Sequence, residues 1–360
     1  MHSAKLASLA YVIMVVAFSV LNFSIKYACR YYFCLGVQMS RSNLYKLVVA
    51  LALSILFTIT LFYLTFDLPH ILDRILHEYF PDVFWEAELR EQTLSALRPY
   101  GYLALGITLA LIVLGFAAKR GYLAVLGSVA MYLPTFGYFA SAMFFLAGLG
   151  VLRTLWLPML EISPTVLKLG CIAYLPFLLL ELILEEHQIY GVVQLVASAI
   201  TGLGLLIFTL GTATWLYGKF EKHEIVDFWI YKYSRHPQYL GFILWSYGLL
   251  IYVGYKNYIR GAFRVPPTLI WLVTTMIVIG VALHEEIEMK KKYGKKYEEY
   301  CRKTPFMIPL PKPIVNTITA PLKLLLKEHP RNMKDIVVTT VLYTVILIAL
   351  SYMLTLALKL

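Results

Sequence analysis

Charged side chains are scarce in this 360-residue chain, at 15%, against 60% hydrophobic residues, and the mean hydropathy is +0.71. A soluble domain carries about 25% charged residues, so a soluble fold is excluded. Disorder is excluded too, because disordered chains are poor in aromatics, which here make up 15%. Cysteine is limited to Cys29, Cys34, Cys171 and Cys301. With no CxxC pair and no Cys/His cluster, neither a zinc centre nor a disulfide framework is expected. Internal repeats and low-complexity tracts are missing as well. The net charge of +11 is read first as membrane topology, before any nucleic-acid partner is inferred, and none is expected.

A membrane helix needs roughly 20 mostly apolar residues. Runs at about 6–25, 46–66, 100–118, 166–184, 191–217, 238–255, 266–284 and 336–358 meet that need. The first is too long for a secretory signal, and no small-residue cleavage site precedes Asn22. The stretch 121–152 is apolar throughout, with Pro134 and Gly137 near its middle, and reads as two short spans or one re-entrant hairpin. The expected fold is all-α: a polytopic integral membrane protein with about ten transmembrane helices, or eight if 121–152 is re-entrant.

Loop charges orient the array. The 26–46 loop holds Lys26, Arg30, Arg41 and Lys46 without an acid, and reads as cytoplasmic. The 67–99 loop holds Asp67, Asp73, Glu78, Asp82, Glu86, Glu88 and Glu91 against Arg74, Arg90 and Arg98, and reads as external. The segment 285–335 has twelve Lys/Arg against seven acids and returns to the cytoplasm, where it suits anionic lipid headgroups. Lys256, Arg260 and Arg264 lie against this pattern, on a turn assigned outside. The expected organisation is an N-terminal transmembrane module over 1–190, a catalytic membrane domain over 191–315, and a basic segment with a final helix over 316–360.

Polar residues kept near a bilayer mark functional candidates, and they gather in two places. The first runs from His223 through Tyr231, Tyr233, Arg235, His236, Pro237 and Tyr239 to Gly241; the second is His284, Glu285 and Glu286, continuing through Lys290, Tyr293, Gly294, Tyr297 and Tyr300. An apolar hairpin of about 45 residues joins them, which brings both to one cytoplasmic, interfacial pocket. Pro237, with no N–H and a fixed φ, suits the first position of a helix. Helix N–H donors beside Arg235 then suit a carboxylate or phosphate. The tyrosines offer flat faces for an adenine, and Glu285 and Glu286 suit an ammonium or sulfonium. A ligand with a carboxylate, an ammonium, a sulfonium and an adenine is S-adenosylmethionine.

Residues 191–312 resemble the isoprenylcysteine carboxyl methyltransferase and phospholipid methyltransferase superfamily. His223, Val226, Tyr231, Arg235, His236, Pro237, Tyr239 and Gly241 match its first motif. Glu285, Glu286, Tyr293, Gly294, Tyr297, Tyr300, Pro305 and Pro309 match its second. The resemblance implies that the first motif and the Glu pair bind S-adenosylmethionine in a cytoplasm-facing pocket, with a lipid or prenylated acceptor entering from the bilayer. An amine acceptor must first lose a proton, for which Glu286 or His284 is the candidate base. Trp229 stands where the family usually has Gly. Residues 265–283 hold no basic residue, whereas many carboxyl methyltransferases of the family carry an Arg shortly before the Glu pair. That difference tilts the acceptor toward a phospholipid or other neutral lipid.

Several features have plainer readings. Arg235 can be a snorkelling anchor, Tyr293, Tyr297 and Tyr300 an interfacial aromatic belt, and Gly202 and Gly204 a packing seam rather than a cofactor contact. Two rivals remain: an NADPH-dependent sterol- or steroid-type reductase, disfavoured because adjacent carboxylates repel phosphates, and a non-catalytic lipid-binding membrane protein.

Overall fold

Prolines, glycines and clustered lysines set the helix boundaries. The computed structural model describes residues 41–83, 85–139, 146–181, 183–184, 186–254, 266–326 and 330–358. The expected 6–25 span, Cys29 and Cys34, most of the 26–46 loop, and Lys256, Arg260 and Arg264 lie outside these residues. In chain order the helices are α1 (Arg41–Leu76), α2 (Ala87–Ala117), α3 (Gly121–Tyr132), α4 (Phe136–Phe139), α5 (Leu157–Ile162), α6 (Leu175–Glu181), α7 (Glu186–Phe220), α8 (Pro237–Gly254), α9 (Thr268–Tyr293), α10 (Lys295–Lys303), α11 (Lys312–Leu326) and α12 (Met333–Leu358). Short 3-10 turns link several of them, and no strand occurs among the described residues.

Six helices among the described residues are long and apolar enough to cross a membrane: Asn43–Leu76, Ala87–Ala117, Gly121–Phe139, Ile189–Phe220, Thr268–Tyr293 and Met333–Leu358. The expected ten-span count is thus not reached among them. Two expectations need correction. The 166–184 run is not one span. It forms two 3-10 turns, Val166–Lys168 and Cys171–Tyr174, and then α6, because Gly170 and Pro176 interrupt a regular helix. Nor is 67–99 one long loop: α1 runs on to Leu76 and α2 starts at Ala87. At 36 residues α1 is about 54 Å long, well beyond the ~30 Å hydrocarbon layer. Asp67 and Asp73 therefore sit on the helix extension rather than in a loop.

Packing divides the chain into two units. One comprises Met1–Leu61, Ala199–Trp245 and Lys295–Pro309; the other comprises Phe62–Ser198, Ser246–Gly294 and Leu310–Leu360.

In the described part of the first unit, Leu47, Ala50 and Leu51 of α1 form a buried cluster with Ala213 and Tyr217 of α7. Higher on the same seam, Ser54 Oγ donates to the Thr209 carbonyl at 2.6 Å, and the Thr58 and Thr209 hydroxyls lie 2.8 Å apart. Such interhelical hydrogen bonds hold helices together where lipid offers no hydrophobic drive. The α7–α8 crossing is set by glycine. A Cβ on Gly204 would lie 2.3 Å from the Trp245 nitrogen, and one on Gly241 would lie 2.5 Å from the Phe208 nitrogen. Gly202 has open space around it, so only Gly204 belongs to the seam.

In the second unit α9 is the interior helix: 72% of its most apolar stretch is buried, against 6% for α12. Gly115 meets the Ala124 backbone, and Gly280 faces Thr340 and Phe116. Thr274 Oγ1 donates to the Ser128 carbonyl at 3.3 Å, and Trp156 Nε1 to the Met131 carbonyl at 3.1 Å. Asp73 Oδ1 accepts from the Leu149 N–H at 2.7 Å, next to Gly148 at φ 52°. Glu161 lies on α5, which is not among the candidate spans, and its carboxylate takes hydrogen bonds from Tyr102 Oη at 2.7 Å and Arg98 Nε at 2.6 Å of α2. Those two donors, the tyrosine's first, hold its pKa below the ordinary carboxylate value.

Candidate functional site

The first motif is assembled around the end of α7, the following loop and the start of α8. At the end of α7, Lys222 takes φ 57°. The His223 N–H then reaches back to the Gly218 carbonyl at 2.8 Å, and the Lys222 N–H to the Lys219 carbonyl at 3.1 Å. This is the left-handed termination common at helix C-termini. It leaves His223 exposed, with its ring 5.2 Å from that of Phe228.

Trp229, the residue that departs from the resembled pattern, has φ 49°. The backbone keeps a conformation suited to glycine, and the indole is accommodated by packing. Its ring stacks on Tyr217 at 5.1 Å and 29° and meets Phe228 edge-on at 5.2 Å. The left-handed backbone at Trp229 carries a strain of about 1–2 kcal/mol.

The chain then forms a 3-10 turn, Trp229–Lys232, and α8 begins at Pro237 as expected. The Leu240 N–H bonds to the His236 carbonyl at 3.0 Å, and the Ser234 hydroxyl accepts from the His236 N–H at 3.3 Å. Tyr231, Ser234 and His236 are buried, whereas Tyr233 is exposed. Tyr233 therefore does not share the environment expected for all three tyrosines.

α10 and the turn after it complete this half. Arg235 Nη1 donates to the Cys301 carbonyl at 3.0 Å, near the end of α10, and the Arg235 N–H bonds to the Pro305 carbonyl at 3.1 Å. A guanidinium at a helix C-terminus complements the local negative partial charge. Phe306 lies under both residues: its ring is 5.9 Å from Arg235 Cζ and 5.0 Å from the His236 ring. The His236 ring is also 5.8 Å from that of Tyr239. Tyr300 Oη donates to the Tyr231 carbonyl at 2.7 Å. Tyr297 and Tyr300 are buried, so these two are packing residues and not a lipid-facing aromatic belt.

Gln238 was not singled out from the sequence. Its Nε2 donates to Thr212 Oγ1 of α7 at 3.3 Å, and its Oε1 accepts from Tyr231 Oη at 3.4 Å. One side chain thus ties α7, the loop and the first turn of α8. The available signal was an amide at the second position of an otherwise apolar helix. Gly241 lies one turn further on, in the α7–α8 crossing.

The second motif lies on α9. Its residues are not at the helix end, as the sequence suggested. The helix continues to Tyr293, with Lys290, Lys291 and Lys292 in its last turn, where basic residues complement the dipole. Gly294, at φ 53°, separates α9 from α10. Successive helical residues are about 100° apart, and the two carboxylates diverge accordingly: Glu286 is buried at 6% exposure, whereas Glu285 is exposed. The ion pair nearby joins Lys291 Nζ to Glu288 at 3.0 Å. His284, also buried, places Nε2 3.4 Å from the Lys119 carbonyl in the α2–α3 turn. A carbonyl only accepts, so Nε2 carries the hydrogen, and a neutral ring presents Nδ1 as the acceptor.

Among the described residues no cluster of three His, Cys, Asp or Glu side chains is placed to hold a metal. Residues 188–296 match the model of the phospholipid methyltransferase family. A curated relative, protein-S-isoprenylcysteine O-methyltransferase of Schizosaccharomyces pombe, is 34% identical over 91 residues, which are 25% of this chain and 35% of that protein. No solved structure matches. The likeness is to membrane methyltransferases in both comparisons, and it covers a part of the chain in each.

Proposed function

We propose that the protein is an S-adenosylmethionine-dependent methyltransferase acting on a lipidic or lipid-anchored acceptor at the cytoplasmic membrane face. The observation that carries this reading is the Arg235-His236-Pro237 turn: a helix start at Pro237 with a guanidinium and two aromatic rings gathered beside it, inside the stretch that matches the methyltransferase family.

The residues present fit the cofactor's chemistry. Arg235 carries a planar guanidinium whose fork of N–H donors suits a carboxylate. His236, Tyr239 and Phe306 supply aromatic faces for an adenine. By its charge, the buried Glu286 carboxylate suits an ammonium or sulfonium, and exposed Glu285 carries charge of the same sign. The cofactor would supply a methyl group on a good leaving group, so the protein's work is to position and desolvate. Where the acceptor is an amine, its proton passes to the Glu286 carboxylate or to His284 Nδ1. His223 and Tyr231 belong to the same cofactor-binding motif, with Tyr231 held by Gln238 and Tyr300.

The test is incubation of the reconstituted protein with radiolabelled S-adenosylmethionine and membrane lipids, followed by separation of lipids and proteins. Label in a lipid or prenylated fraction supports the reading, and the fraction names the acceptor. Incorporation no greater than with Arg235→Ala overturns it.

A further inference from the structure

α11 is 15 residues long, about 22 Å, and so is too short to cross a hydrocarbon layer of ~30 Å. Its two faces differ. Ile314, Val315 and Ile318, at i, i+1 and i+4, are exposed at 46%, 41% and 49%. The opposite face carries Asn316 and Lys323, with Lys323 Nζ hydrogen-bonded to Asn316 Oδ1 at 3.2 Å. From Tyr300 to Lys327 the chain contains Arg302, Lys303, Lys312, Lys323 and Lys327 and not one Asp or Glu.

The helix is tethered to a candidate span of its own unit. Tyr343 of α12 donates its hydroxyl to the Ile318 carbonyl at 2.5 Å. Tyr343 lies ten residues after the first residue of α12, about 15 Å along the axis. If the ~39 Å of α12 is centred on a ~30 Å hydrocarbon layer, that position is about 10 Å below its boundary. A helical side chain points back toward the N-terminus, which brings the hydroxyl nearer the boundary. Helices lying in the interface bury their apolar face to about 5–10 Å.

We propose that α11 lies in the plane of the membrane–water interface and docks its Ile314–Val315–Ile318 face onto an anionic lipid surface. The apolar face enters the upper acyl region while Lys323 on the polar face meets the headgroups, a lysine near such a surface contributing about 1 kcal/mol, roughly a fivefold factor in lipid preference. This inference stands apart from the methyltransferase reading, because it concerns depth in the bilayer and not the reaction.

The test places a fluorescent amino acid at Ile318, at Val315 or at Asn316 in the full-length protein, reconstituted in nanodiscs whose lipids are brominated near the top of the acyl chain. The expected result is strong quenching at Ile318 and Val315 and weak quenching at Asn316. Quenching should be greater with phosphatidylglycerol than with phosphatidylcholine, and the lipid preference should fall at least fivefold in a K312E/K323E variant. Equal quenching on both faces, or none, overturns the proposal. So does a probe at Ile318 that is already shielded in lipid-free detergent in a dimer, which would assign the face to a second copy of the chain.

Discussion

Replacing Trp229 by glycine should cost less stability than replacing it by alanine, the reverse of the usual order. Both changes remove the same indole contacts, the stack on Tyr217 and the edge contact with Phe228. At about 0.5–1.5 kcal/mol each, these amount to roughly 1–3 kcal/mol and cancel between the variants. The backbone does not cancel. Alanine at φ 49° retains a left-handed penalty of about 1–2 kcal/mol, which glycine avoids. Glycine loses about 0.5–1 kcal/mol through its freer unfolded chain. The difference favours glycine by up to about 1.5 kcal/mol, with a midpoint of ~0.75 kcal/mol, where an ordinary helical or extended site favours alanine by about 0.5–1 kcal/mol. Thermal unfolding of the two variants in the same detergent reads this directly, since about 1 kcal/mol moves the midpoint by about 2–4 °C in domains of 150–250 residues. An alanine variant as stable as the glycine variant would refute the argument that position 229 demands a glycine-like backbone.

Gly204→Leu and Gly241→Val should each lower thermal stability by about 1–3 kcal/mol or more, because the added carbons meet helix backbone; Gly202→Ala, in open space, should leave it unchanged or slightly raised. Gln238→Leu should weaken S-adenosylhomocysteine binding several-fold without lowering the melting temperature of the ligand-free protein by more than a few degrees, and Gln238→Glu should restore part of the loss by still accepting from Tyr231. Glu161 has a pKa below its ordinary value when folded. The stabilisation it gives is therefore present above the unfolded carboxylate pKa and is lost as pH falls through the folded one. Pairwise melting curves of the native protein and Glu161→Gln should converge at acid pH and separate near neutrality; curves separated equally at all pH values would contradict this.

The sequence was informative wherever a residue has one dominant physical consequence. Pro237 announced a helix start because it lacks an N–H, and the long apolar runs of α2, α7, α9 and α12 announced helices. It was less informative where two effects compete. Hydrophobicity in 166–184 suggested a span, while Gly170 and Pro176 in the same run break it; local backbone chemistry prevailed. The charges beginning at His284 suggested a helix end, although Lys290–Lys292 and Gly294 carried the better signal for the true one. Glu285 and Glu286 read as a matched pair, yet adjacent residues on a helix face different ways, and only packing decides which is buried. The departure at Trp229 was visible, but its left-handed backbone was not, since that depends on Tyr217 and Phe228 waiting to receive the ring.

The proposed methyl transfer requires that this chain hold S-adenosylmethionine by way of Arg235 and its neighbours. Calorimetry on the purified full-length protein with S-adenosylhomocysteine, and in parallel with NADPH, tests it most directly. The expected result is saturable binding of S-adenosylhomocysteine, weakened at least tenfold by Arg235→Ala or by Glu286→Gln at unchanged melting temperature, and no binding of NADPH. Binding of NADPH alone would contradict it in favour of a reductase, and binding of neither would leave a lipid-binding membrane protein.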